Sequence, residues 1–191
     1  MQFRILELTE TDKFQFLRIY KNANWSVQKC IEDNFPGKFW NSSSIVNNKP
    51  RFAIIRDPYE RFISGLKYDL ERQKVDLQEL NQNIKLDKLF TTNEMHRRNT
   101  MIGNINHSAS QIPYLMNSGI THYIDIKDLN LFLKMHFNKV KHLNNSNTKI
   151  KEIEKYLDKN EIMKYLHLDY YIYNSIIRSP FLWEWQHGRI F

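Results

Sequence analysis

A single cysteine, Cys30, is all that this 191-residue chain contains. A disulfide framework and a cysteine-based zinc site are therefore both excluded. No stretch approaches the ~20 consecutive apolar residues of a membrane span. Met1–Leu8 is too short, and too charged, to be a signal peptide. These absences lead to the expectation of a cytoplasmic protein with no membrane segment. Internal repeats and linker-like composition are missing too, so the expectation is one domain over residues 1–191. The phosphate-binding pattern G-x-x-x-x-G-K-[ST] does not occur, which argues against an ordinary ATPase or kinase. No metal-ligand cluster and no recognised nucleic-acid-binding motif stand out.

What is present is a core-forming composition. Hydrophobic residues make up 41% and aromatic residues 14%, too much for a disordered chain. The net charge is +7. An anionic ligand and a merely basic surface both fit that value. A basic nucleic-acid-binding module is a competing reading, resting on the charge and the interleaved aromatics.

Apolar periodicity divides the chain into alternating elements. Phe14–Tyr20 alternates like a strand, and residues 21–24 break it. Trp25–Asn34 follows as a helix, with Val27, Cys30 and Ile31 at helical spacing. Cys30 is thus expected in the core. Residues 41–50 are rich in Ser and Asn and read as a loop. Phe52–Ile55 is a short apolar strand, followed by a helix from about 58 to 73. His122–Ile126 reads as a strand, Asp128–Phe137 as a helix and Val140–Leu143 as a last short strand. Ile150–Leu157 and Glu161–Ile177 read as helices. Such alternation predicts a three-layer α/β domain whose parallel sheet of three to five strands is covered on both faces.

Two turns in this pattern suit an anion. Arg56 lies at the carboxyl edge of the Phe52–Ile55 strand, where open α/β sheets bind ligands. Asp57 can cap the next helix, and Pro58 fits a first turn that needs no N–H. An arginine beside a helix N-terminus is well suited to a phosphate. The other turn, Tyr20-Lys-Asn-Ala-Asn-Trp-Ser26, would present backbone N–H groups and the mobile cation of Lys21.

Ile55-Arg-Asp-Pro-Tyr-Glu-Arg-Phe-Ile-Ser64 resembles a motif of the sulfotransferases that use 3′-phosphoadenosine 5′-phosphosulfate (PAPS), within their carbohydrate sulfotransferase branch. Lys21-Asn-Ala-Asn-Trp-Ser26 looks like the same family's 5′-phosphosulfate loop, with Tyr20 in place of a usual proline and Trp25 where Thr or Ser is common. A second register, placing Asn24-Trp25 on the Asn-Trp pair of some members, is also open. His107-Ser-Ala-Ser-Gln111, Tyr123-Ile-Asp-Ile-Lys-Asp-Leu129, His142-Leu-Asn144 and Tyr165-Leu-His-Leu-Asp-Tyr170 look like further segments of that branch, in order.

The resemblance implies a P-loop-like sulfotransferase fold and transfer of the PAPS sulfuryl group to a hydroxyl acceptor, of a saccharide or glycoconjugate, without a metal. It implies that Arg56 and Ser64 hold the 3′-phosphate. Lys21, Asn22, Ala23, Asn24, Trp25 and Ser26 would hold the 5′ end. Lys21 suits the charge that develops on the leaving oxygen. Among seven histidines, His107 is the first choice as general base, with Glu32 and Glu60 as alternatives. His122 and His136 read as members of packed elements. A family member that keeps the fold but has lost activity is the remaining alternative, suggested by Tyr20 and Trp25.

Overall fold

The computed structural model describes residues 7–73, 110–115, 119–140, 153–155, 157–184 and 188–191. The chain divides into two compact units. The first takes its described residues from 1–56, 111–143 and 172–191, the second from 57–110 and 144–171.

The first unit is built on a five-stranded sheet. Its strands are β1 (Leu8–Thr11), β2 (Gln15–Leu17), β3 (Phe39–Ser42), β4 (Arg51–Ile55) and β5 (His122–Asp125). They lie in the order β3-β1-β2-β4-β5. β2, β4 and β5 run parallel, with Phe16 opposite Phe52 and Ile55 opposite Asp125. β1 is antiparallel to both β2 and β3. The sheet is therefore mixed, which corrects the expectation of a parallel one. The reason is the short link after β1. Thr11 Oγ1 accepts from the N–H groups of Lys13 and Phe14, at 3.2 and 3.1 Å, and closes a tight turn. A crossover to a parallel neighbour needs a dozen or more residues.

β1 and β3 escaped the sequence reading because neither is an apolar run. All of Leu8-Thr-Glu-Thr11 is buried nonetheless. β3 falls partly in the stretch read as a loop. The expected strand over Phe14–Tyr20 is confined to Gln15–Leu17.

Alternation along β4 sorts its side chains between two apolar layers. Phe52 and Ile54 join Phe14, Phe16 and Ile124 on one face. There they meet α1 (Asn24–Asn34) through Val27, Cys30 and Ile31, and α4 (Leu129–His136) through Leu129, Phe132 and Leu133. Cys30 is in the core, as expected. Phe16 and Phe52 stack at 5.1 Å, a cross-strand pair worth about 0.5–1.5 kcal/mol beyond its buried area. Ala53 and Ile55 face the other way, towards Tyr114 and Leu115 of α3 (Ile112–Leu115) and Tyr173 and Ile176 of α6 (His167–Ile177). Trp183 is a packing residue, 1% exposed, and its indole N–H donates to Gly188 O.

The described elements of the second unit are helical. α2 (Pro58–Gln73) and α5 (Lys159–Tyr165) bury Tyr59, Phe62, Ile63, Leu66 and Ile162 around Ile153 and Leu166. The stripe read as one helix over Glu161–Ile177 is two, separated at Leu166. Residues 141–152 lie outside the described residues, so most of the expected Val140–Leu143 strand and the start of the Ile150–Leu157 helix do too. Among the described residues, no helix is long and apolar enough to cross a membrane.

Candidate functional site

The link from β2 to α1 has an unusual backbone. Lys21 and Ala23 have φ of 64° and 58°, in the left-handed region, and neither is glycine. Each such residue costs on the order of 1–3 kcal/mol and persists only where its surroundings hold it. Between them Asn22 is fully buried. Its N–H donates to Ile19 O at 3.2 Å. Its Nδ2 donates to Ile54 O at 2.8 Å and to Gln111 Oε1 at 3.1 Å.

This turn delivers the chain into α1 without a side-chain cap. Ala23 is the N-cap residue and has nothing to cap with, and no acidic residue lies in the first turn. The first amides of a helix have no intrahelical acceptor, and the helix dipole makes that end positive. Asn24 Oδ1, at the start of α1, and Asn22 Oδ1 are buried without a hydrogen-bond partner. Trp25 stands 83% exposed and Ser26 is half-buried.

The turn after β4 lies beside the first. Arg56 is half-buried, and its Nη1 donates to Lys21 O at 3.4 Å. Its carbonyl accepts from Gln111 Nε2 at 3.3 Å. Lys21–Ala23 and Arg56 thus meet at the carboxyl edge of two parallel strands, joined by the buried Gln111 amide. One strand further on, the buried Asp125 accepts from the Tyr173 hydroxyl at 3.0 Å and from the Lys127 N–H at 3.0 Å.

Asp57, Pro58 and Ser64 belong to the second unit. Asp57 caps α2 as expected: its Oδ1 accepts from Glu60 N–H at 3.0 Å. The Tyr170 hydroxyl donates to both Asp57 oxygens, at 3.0 and 3.1 Å. Burial, then the Asp57 charge and hydrogen bond, hold the Tyr170 phenol well above its ordinary range. Ser64 is 8% exposed on α2.

The structure therefore brings together Lys21, Asn22, Ala23, Asn24, Trp25, Ser26 and Arg56. His107 lies outside the described residues, as do His96, His142 and His187. Of the alternative bases, Glu32 lies 3.3 Å from Lys29 on α1, and Glu60 is exposed on α2. His136 is a packing residue, as expected: Nδ1 meets Phe132 O and Nε2 accepts from Ile190 N–H, both at 2.8 Å. Burial lowers its pKa. Sequence reasoning quoted Gln111 and Asp125 only as parts of motifs, and it missed Tyr173. Their roles depend on partners 48 to 89 positions away, a separation over which periodicity carries no signal.

Compared with known proteins, the chain matches no family model, and no curated protein or solved structure is significantly similar to it.

Proposed function

We propose that the carboxyl edge of β2 and β4 binds a phosphorylated nucleotide. The observation that carries this reading is the meeting of an uncapped helix N-terminus, a left-handed Lys21–Ala23 turn and the Arg56 guanidinium. Backbone N–H groups and a planar cation are the donors that phosphate oxygens accept from. The residues therefore fit an anionic ligand by the chemistry of their donors.

The particular nucleotide we infer is PAPS, and the activity is sulfuryl transfer to a saccharide or glycoconjugate hydroxyl. This step rests on the resemblance of Ile55–Ser64 and Lys21–Ser26 to sulfotransferase motifs. The bound donor would supply the sulfuryl group. Arg56 would hold the 3′-phosphate, with Ser64 added by the motif. Lys21 and the first amides of α1 would hold the 5′ end and meet the charge of the leaving phosphate. His107 is the residue assigned to take the acceptor's proton.

Titration calorimetry with adenosine 3′,5′-bisphosphate tests the reading, with adenosine 5′-monophosphate as the control. Binding that requires the 3′-phosphate is the expected result. Equal affinity for the two, or none for either, would overturn it. Transfer of labelled sulfate from PAPS to an acceptor would eliminate the inactive-relative alternative. Salt-dependent binding to oligonucleotides without bisphosphate binding would favour the nucleic-acid reading.

A further inference from the structure

We infer that the buried amide pair Asn22–Gln111 is the positioning device of this site, holding the Lys21–Ala23 turn left-handed and so aiming the first amides of α1. The inference rests on the nucleotide-binding reading and deepens it.

The pair forms a directed relay. Asn22 Nδ2 gives one hydrogen to Ile54 O, near the end of β4, and one to Gln111 Oε1. Gln111 Nε2 then donates to Arg56 O. Both side chains are buried, at 0% and 1% exposure. Neither amide can flip. A reversed Asn22 would set its oxygen against two acceptor oxygens, and a reversed Gln111 would set its oxygen against Arg56 O. One relay therefore ties the turn after β2 to the strand end and to the residue that carries the candidate phosphate-binding guanidinium.

The turn needs such a tie. Ala23 has no polar side chain with which to hold itself left-handed, and the helix that follows has no side-chain cap. Asn22 spends both Nδ2 hydrogens inside the protein, so its effect on a ligand runs through the backbone that it sets. Asn22 and Gln111 are positioning residues in this scheme. The groups facing the ligand are the α1 amides, Lys21 and Arg56.

The test uses the full chain and compares wild type with Gln111→Leu and Asn22→Asp. The Leu variant removes both ends of the relay. The Asp variant replaces its two-hydrogen donor with an oxygen facing two oxygens. NMR reads the φ of Lys21 and Ala23 from their three-bond amide–Hα couplings and Cβ shifts. Calorimetry reads affinity for adenosine 3′,5′-bisphosphate.

We expect both variants to lose the left-handed signature while Leu129–His136 keep wild-type shifts. Affinity should fall about ten- to a hundredfold, the scale of a buried hydrogen bond lost with its partner stranded. A variant that melts earlier but keeps the left-handed turn and full affinity would overturn the proposal, since the pair would then serve stability alone. If Gln111→Leu does not fold, Gln111→Glu carries the same test, because it keeps the acceptor for Asn22 and loses the donor to Arg56. Should wild type bind no bisphosphate, the nucleotide reading falls, and the NMR couplings still decide whether the pair sets the turn.

Discussion

Arg51 opens β4 and Arg56 follows its last residue, so one short strand separates two guanidinium groups. At the first end the cation is consumed by the protein. Arg51 is 4% exposed, and burial pushes its pKa down. Its Nε donates to Gln15 Oε1 at 3.0 Å, its Nη2 to Val46 O at 3.2 Å and its Nη1 to Gly119 O. Gln15 continues the network to Glu10, at 2.9 Å, and Lys49 closes on Glu10 at 2.7 Å. Gly119 has φ of 55°, and a Cβ there would run into Arg51 Nη1. At the other end Arg56 is half-buried beside an uncapped helix start. A buried guanidinium whose donors meet protein carbonyls belongs to the fold. A partly exposed one at the carboxyl ends of parallel strands suits the ligand role proposed for Arg56.

The sharpest break in that contrast is Arg51→Leu. It empties a nearly buried position and removes the donors to Gln15 Oε1, Val46 O and Gly119 O, and should cost on the order of 3 kcal/mol of unfolding free energy in urea. Unchanged stability would show that the network holds nothing. Arg56→Ala should do the reverse, losing about 1.5–3 kcal/mol of affinity for adenosine 3′,5′-bisphosphate, the scale of charged hydrogen bonds, with little change in the urea midpoint. If affinity stays and stability falls, the two arginines are alike and the contrast is wrong.

Asp57→Ala removes the α2 cap and the acceptor of the Tyr170 hydroxyl, and should cost about 1–2 kcal/mol in the same unfolding assay. Tyr170→Phe keeps the cap and should cost no more than about 1 kcal/mol.

The smallest effect is on pH dependence at the Arg51 end. Burial raises the Glu10 pKa, but hydrogen bonds from Lys49, Gln15 and Ser42 and the Lys49 charge outweigh it, so the net value lies below the ordinary 4.5. A depressed carboxylate contributes stability that is full above its unfolded value and is lost as pH falls through the folded one. Glu10→Gln should therefore flatten the loss of stability below pH 4.5, by at most about 1 kcal/mol. An identical pH profile for the two proteins would remove Glu10 from that response.

How far each feature was legible follows from how local its cause is. α2 was read with its observed ends because Asp57 and Pro58 signal a helix start by themselves, and the apolar spacing over Phe62, Ile63 and Leu66 marks its buried face. β4 was legible as an unbroken apolar run. α1 was legible from Val27, Cys30 and Ile31, its start to within one residue, but the left-handed conformation of its N-cap Ala23 was not, because no residue in the turn advertises it. β1 was invisible, since Thr9, Glu10 and Thr11 are polar and yet buried; Gln15 and Lys49 satisfy Glu10 and Phe14 O satisfies Thr11, whereas Thr9 Oγ1 has no hydrogen-bond partner.

The sequence by itself determined the alternation of strands and helices, the burial of Cys30, the placing of Arg56 just beyond a strand and that of Lys21 in a strand-to-helix link. These follow from side-chain period and cap chemistry, which act over a few residues. Only the tertiary structure decided that β1 runs antiparallel to both of its neighbours, that Arg51 is consumed while Arg56 is not buried, and that Gln111 reaches both turns. Those outcomes depend on which buried polar atoms find partners, and the partners come from distant parts of the chain.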